Sequence, residues 1–437
     1  MSRRMILLVL AAVVAVATAQ HEHHERQGAG MPAAVDGGLL PGVPMTRDGS
    51  GTAWLPDAAP VSAVHGRAAN LDLMLHYSGF ARFTSQDVLR RGTRGASRLD
   101  GPNWLMGMAG MPVGRAGRLS GRTMLSLDPL TVGGAGYPLL FQSGETWQGR
   151  ELVDRQHPHD FLGELALAYG RALGADAGLF AYAGLPGEPA FGPPAFIHRP
   201  SAGDNPAAPL GHHLQDATHI IFGVATIGAR LRQFKLDASL FTGREPDENR
   251  WNIDRPRFDS WSGRLSWNPG EAWALQVSHA FARSPEPGHE DVDVRKTTAS
   301  ALFSRRFGRE RTLSAALVFG RNDPTEGPGL SSLLVEAAVA GRFGGHLRAE
   351  LLQRTASELD LDGEHGHDVH LVSALTLGGS VAVLRAVSSA LRVGAQATVN
   401  FVGPALRAEY GRLPLSVDVF LRVTPGEPAA AHGRSGA

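Results

Sequence analysis

Along most of the chain, apolar and polar residues alternate with a period of two. From Leu391 to Phe401 the odd positions Leu391, Val393, Ala395, Ala397, Val399 and Phe401 are apolar, with Arg392, Gly394, Gln396, Thr398 and Asn400 between them. Leu415 to Val423 repeats the rhythm, with Ser416, Asp418, Phe420 and Arg422 on its second row, as do Leu71 to Phe83 and Trp273 to Phe281. This is the period of a strand whose two faces meet different surroundings. The pattern predicts strands at 71–83, 103–113, 118–127, 161–171, 177–184, 217–230, 233–243 and 257–268. It predicts eight more at 272–283, 295–307, 311–321, 332–343, 346–356, 369–380, 390–402 and 414–424.

Tight connections such as Arg115-Ala116-Gly117, Gly174-Ala175, Pro269-Gly270, Gly308-Arg309 and Gly344-Gly345 alternate with long ones. Strands of this length with short turns at one end and long loops at the other predict an all-β fold. It is a transmembrane antiparallel up-and-down β-barrel of about sixteen strands, its apolar row facing lipid, its polar row facing the lumen, and its long loops partly folded inward. Tyr77, Phe161, Trp261, Trp267, Trp273, Phe319 and Phe343 fall where an interfacial aromatic girdle would place them. Phe161 to Leu173 and Leu330 to Val339 are rich in Ala and Leu and would pass as helices on propensity alone. The loop rhythm around both argues for strands. The inward rows mix signs (Asp72, Arg82, Lys235, Asp237, Arg264, Arg348, Glu350, Arg392, Asp418, Arg422), which argues against strong ion selectivity.

Composition narrows the function classes. With 42 basic and 42 acidic residues the formal charge is zero, and nothing suggests nucleic-acid binding. The absence of cysteine excludes disulfides, thiolate metal ligands and a thiol nucleophile. Arg3 and Arg4, the apolar run Met5 to Val16 and Ala17-Thr18-Ala19 read as a secretory signal over residues 1–19. Residues 20–65 read as a flexible N-terminal segment that begins with the histidine tract His21-Glu22-His23-His24-Glu25, residues 66–425 as the barrel, and residues 426–437 as a polar tail. The expected location is the outer membrane after signal cleavage, with both termini periplasmic, as an even strand count requires.

Three long loops collect the chemistry. One runs from Gln142 and Glu145 through Asp154-Arg155-Gln156-His157-Pro158-His159-Asp160. The second holds His198-Arg199-Pro200, Asp204-Asn205-Pro206 and His212-His213-Leu214-Gln215-Asp216-Ala217-Thr218-His219. The third is Thr242-Gly243-Arg244-Glu245-Pro246-Asp247-Glu248-Asn249-Arg250. On Asp154 to Phe161, Gly192-Pro193-Pro194-Ala195-Phe196 through His219, and Thr242 to Asn249, the chain resembles a family of Gram-negative outer-membrane barrel proteins without an assigned reaction. The likeness continues through Phe258-Asp259-Ser260 and Leu265-Ser266-Trp267-Asn268-Pro269 and covers most of residues 70–425. It implies an outer-membrane barrel and a loose association with metal resistance. Many outer-membrane barrels end on an aromatic residue, whereas this chain continues past Phe420 to Ala437.

Two readings of the loops stand side by side. In the first, His157, His159, Asp160, His198, His212, His213, Asp216 and His219 supply ligands to a zinc or copper ion, because imidazole and carboxylate suit such ions. In the second, Asp154, Arg155, Asp160, Arg199, Asp204, Arg244, Glu245 and Asp247 form an ion-pair lattice that narrows the pore without a ligand. His365, His367 and His370 make a separate acidic histidine cluster with Glu364 and Asp368. The functional expectation is a porin-like channel or transporter for small solutes, linked to metal ions. The alternatives are a metal-binding or loop-plugged sensor barrel and an outer-membrane hydrolase. The hydrolase is disfavoured because no Gly-x-Ser-x-Gly elbow or HExxH motif is present. The expected partners are outer-membrane lipids with small solutes or metal ions. Barrels of this size occur both as trimers and as monomers, so a homotrimer is compatible.

Overall fold

The computed structural model describes residues 38–426 except 287, 289–290, 309–310, 362–364 and 387–388, so the signal, the His21–Glu25 tract and the C-terminal tail from 427 lie outside the described residues. Eighteen strands form one sheet: β1 Val64–Ala68, β2 Leu71–Ser85, β3 Ser97–Asp100, β4 Asn103–Val113, β5 Gly117–Leu125, β6 Leu162–Ala172, β7 Ala177–Gly184, β8 Val224–Leu231, β9 Phe234–Phe241, β10 Ser260–Trp267, β11 Trp273–Ala282, β12 Val294–Phe307, β13 Arg311–Pro324, β14 Leu330–Ala340, β15 Phe343–Thr355, β16 Val369–Arg385, β17 Ala390–Val402 and β18 Leu415–Thr424. Consecutive strands pair antiparallel, and β2 closes the cylinder against β18, from Gly79 opposite Val423 to Ser85 opposite Val417. Because β3 and β4 pair with successive parts of the same edge of β2, they make one interrupted stave. The result is a closed 16-strand antiparallel β-barrel.

The alternation read from the sequence is the alternation of the wall. Leu165, Leu167 and Tyr169 face outward on β6, while Ala166, Ala168 and Gly170 face a filled interior. That resolves the helix-like composition of this segment: leucine covers the lipid side and alanine leaves room inside. Leu333 and Val335 are likewise exposed on β14, with Ser332 and Glu336 buried. Backbone groups in lipid must be satisfied within the sheet, and closure leaves no free edge. Among the described residues no helix is long and apolar enough to cross a membrane.

Two expectations are corrected. The strand expected at 217–230 starts only at Val224, because His212–Gln215 forms one α-helical turn and Ala217–His219 a 3-10 turn inside the lumen. The run Ala217 to Phe222 lacks a polar row, and Ile220, Ile221 and Phe222 are buried. Second, the described part of the segment expected to be flexible, 38–63, is packed inside the barrel. Leu40, Val43, Trp54 and Leu55 are buried there. Trp54 lies under the cations of Arg47 and Lys235. Arg47 clasps Asp57 with both Nε and Nη2, and Ala58 donates to the carbonyl of Glu271 at a short turn. The segment then becomes β1, which pairs with residues 71–75 of β2 below the stretch held by β18. One edge of β2 is therefore covered by the two ends of the chain. Val64 to Ala68 is too short an alternating run to stand out, and the periodicity predicts no strand there.

Loops 126–161 and 185–223 enter from the opposite end and fill what remains. Inserted loops carry backbone carbonyls away from water, and each needs a donor. Wall arginines provide them. Arg82 grips Asp100 at 2.8 Å through two nitrogens, donates to the carbonyl of Pro206 and stacks on Tyr137. Arg354 donates to the carbonyls of Phe141 and Leu210, and Arg348 to that of Ala207. Arg264 reaches Gly192 O and Asp237.

Candidate histidine–carboxylate site

The three chemistry-bearing loops meet near the long-loop end. Loop 126–161 folds back on itself, Tyr137–Pro138 pairing with Arg155–Gln156. Asp154 fixes that fold from a left-handed backbone (φ 56°), its carboxylate accepting from Phe141 N at 2.6 Å and from Tyr410 Oη at 3.1 Å. The chain then presents His157 and His159 around the rigid Pro158. Loop 185–223 presents its histidines from the single helical turn His212–Gln215. There His212 Nδ1 and Asp216 Oδ1, four residues apart on one face, lie 2.7 Å from each other.

Five imidazoles pack together. Ring centroids are 5.3 Å apart for His157 and His213, 5.3 Å for His212 and His213, 5.2 Å for His212 and His219, and 5.4 Å for His159 and His219. His157, His159, His213 and His219 enclose a cavity of ≈ 20 Å³ together with Glu145, Asp160, Glu245 and Arg250. That is room for one water-sized occupant.

Burial drives two of the cavity's rings toward the neutral form and raises the Asp160 and Glu145 carboxyls, while His213 is drawn the other way by its carboxylate neighbours. Burial pushes the His157 ring well below its ordinary value, and neighbouring His213 and Arg250 add to the effect. Burial also takes His219 down to about 3. Its Nδ1 lies 2.9 Å from the Asp216 carbonyl, which can only accept, so Nδ1 carries the hydrogen and Nε2 keeps a lone pair. That Nε2 is buried without a hydrogen-bond partner, as are both ring nitrogens of His213, Asp160 Oδ1 and Glu245 Oε1. His159 Nδ1 lies 2.8 Å from Asp128 Oδ2, a contact in which Nδ1 carries the hydrogen and the carboxylate accepts. Burial opposes protonation of His213, but Glu245 and Glu145 outweigh it and raise that ring. Burial pushes the Asp160 carboxyl up to about 7 against the pull of Arg250. Arg250 holds Glu145 at 2.8 Å and Asp160 at 3.3 Å, so a guanidinium now sits where the carboxylates could face a cation. Among the described residues, no three ligating side chains already converge as a metal-ion group.

Of the residues expected as ligands, His157, His159, Asp160, His213 and His219 line the cavity. His212 and Asp216 stand behind it, and His198 is elsewhere, between Trp104 (4.7 Å) and His76 (5.9 Å). The expected lattice divides into separate centres. Arg199 pairs with Asp216 and with Glu336 of the wall, Asp204 with Arg392 and Arg422, and Glu245 approaches His213 and Lys296 at 3.7 and 3.8 Å. Arg155 donates instead to the carbonyls of Ala135 and Gly136, Asp247 accepts within its own loop, and Arg244 lines an outer depression. His365 and His367 lie exposed on loop 356–368, away from the site. Asp128 lies outside every motif that the sequence offers. Asp128 precedes a proline at the head of a four-residue helix, and nothing local announces its bond to a histidine 31 positions later.

No protein-family model matches the chain, and no curated protein matches it. Among solved structures the barrel is similar to the Salmonella typhi OmpF complex with daunomycin, at 9% identity and a TM-score of 0.50, covering 83% of this chain and 100% of that one. It is also similar to an anion-selective porin from Comamonas acidovorans, at 11% identity and a TM-score of 0.48 over 81% of this chain and 99% of that one. A loop-deletion mutant of OmpT, an outer membrane protein of Vibrio cholerae, gives 8% identity and 0.46 over 80% and 99%. At these identities the likeness is one of fold, and OmpF carries it.

Proposed function

We propose that the chain is a porin-like outer-membrane barrel whose plugged lumen binds a first-row divalent cation of the zinc or copper class. The observation that supports this reading is the buried, unpartnered Nε2 lone pair of His219 on the wall of a cavity that it shares with three more histidines and three carboxylates. A buried polar atom without a partner is destabilising unless something occupies the site. Neutral imidazole with carboxylate is a donor set for such ions, and Asp128 behind His159 is the carboxylate that orients a ligating ring. In this role His213, His219, His157 and His159 would hold the ion and Glu145, Asp160 and Glu245 would balance its charge.

Hydrolysis is not part of the reading. Ser201 Oγ donates to Glu336 and Ser143 Oγ to Glu358, so neither serine is paired with a histidine.

Calorimetric titration of the folded, detergent-solubilised barrel with zinc and with copper tests the proposal. The expected result is saturable binding that His213→Ala/His219→Ala weakens by at least about tenfold. Equal affinity in the wild type and the double variant would refute it.

A further inference from the structure

The cavity does not stand alone. Three openings follow one another through the plug and share walls. The outermost, about 600 Å³, lies at the long-loop end among Arg244, Asp247 and Arg255, and Glu245 belongs to its wall. Glu245 also bounds the histidine cavity. On the inner side His157 and His159 bound that cavity and, at the same time, a third one of ≈ 50 Å³ that reaches Asp128, Trp104, Ser78 and Arg422. Beyond it, two histidines pack on Trp104 of its lining without bounding the cavity themselves. His198 and His76 contact Trp104 from two sides, with centroid separations of 4.7 and 4.6 Å, and lie 5.9 Å from each other. His76 is half-buried, and two residues further down β2, opposite Met74, His65 is exposed near the short-turn end.

Such narrow cavities cannot pass an ion with its full water shell; water must be exchanged for protein donors along the way. Within each of the two histidine groups the rings stand 5–6 Å apart and offer that exchange to a borderline-soft cation, whereas magnesium releases its waters reluctantly. Charge along the route is balanced. Arg422 faces the third cavity, but Asp204 holds it at 2.5 Å, and the Asp128 carboxylate lies on the same wall.

Resting on the binding reading above, we infer that these cavities form a passage for a zinc-class divalent cation across the plugged lumen, from the outer depression through the histidine cavity to His198 and His76 and out beside His65. His159 is the dividing wall between the two inner stations, held in place by Asp128.

The test places the full barrel in lipid vesicles that enclose a zinc-responsive dye, adds zinc outside and follows its arrival. The double variant His76→Gln/His198→Gln keeps a polar side chain at the wall position and at the loop position and should pass zinc at least about tenfold more slowly, while binding at the upper cavity stays within about twofold because neither residue lines it. A variant rate equal to that of the wild type overturns the passage, and so does a wild type that binds zinc but admits it no faster than bare vesicles. Wild-type protein that binds no zinc removes the binding reading itself. A second measurement needs no substitution: the wild type should pass zinc at least about tenfold faster than magnesium, and equal rates overturn a route through histidines.

Discussion

Arg199 Nη1 and Asp216 Oδ2 meet at 2.5 Å, with neither side chain more than 1% exposed. Asp216 turns its other oxygen to His212, and Arg199 turns its Nε to Glu336 of β14, 3.2 Å away. One buried guanidinium thus fastens the inserted loop to the wall and, through Asp216, sets the histidine turn. Arg199→Ala leaves Asp216 buried without its guanidinium, while Glu336 keeps Arg348, and the loss is about 3–5 kcal/mol locally. Hydrogen exchange over 196–216 should accelerate strongly and single-channel conductance should rise. Unchanged protection of that segment would show that the pair does not anchor it.

Asp128→Asn tests the orienting bond to His159. Asparagine still offers an oxygen to the backbone N–H of Asn103, which donates to Asp128 at 2.8 Å, so the local helix should survive. The charge behind the imidazole is lost, and zinc affinity should fall about 10- to 100-fold, the range found for carboxylates that orient ligating histidines. Calorimetry with the folded variant reads this directly.

Glu188 gives the plug a dependence on pH. Burial raises its carboxyl to about 8; Arg264 and Arg122 pull downward, Ser50 donates to it, and Glu164 pushes it up. Gly51 of the N-terminal segment packs against its side chain. In the undocked chain the group would ionise near the ordinary glutamate value of about 4.3. Because the docked value is raised, the docked state holds the extra proton: docking is strongest below the undocked value and weakens as pH rises towards 8, by at most about 1.4 kcal/mol per pH unit. Protection of residues 44–59 from hydrogen exchange should therefore fall between pH 5 and 8 after correction for the intrinsic rate. Glu188→Gln should flatten that trend, and a slope as steep in the variant would assign it to another group.

Ile227, in the middle of β8, is 70% exposed on the outer wall. If that wall faces hydrocarbon, Ile227→Arg should destabilise the barrel by about 2–4 kcal/mol in lipid. Denaturant unfolding in vesicles measures it, and a loss below about 0.5 kcal/mol would place Ile227 in water.

The barrel was legible because its cause is local. A strand between lipid and a polar interior must change character at every residue, and that alternation is written out in runs such as Leu391 to Phe401. The strand boundaries 103–113, 177–184 and 390–402 coincide with those observed. The interior was legible only as residue types. His157, His159, His213 and His219 were recognisable as ligand chemistry, but His198 carried the same signal and stands with Trp104 and His76 instead. Which loop histidines share a cavity depends on contacts between segments far apart in the chain, such as Asp128 with His159 or Arg199 with Glu336. The descent of residues 38–63 into the lumen has the same origin, since nothing in a short mixed segment reveals that Thr52 will meet Asp237 or that Trp54 will lie beneath Lys235. Periodicity determines the wall, because each residue answers to its immediate surroundings. Tertiary structure decides the plug, because its carbonyls and charges are satisfied only once the closed wall brings distant arginines and carboxylates within reach.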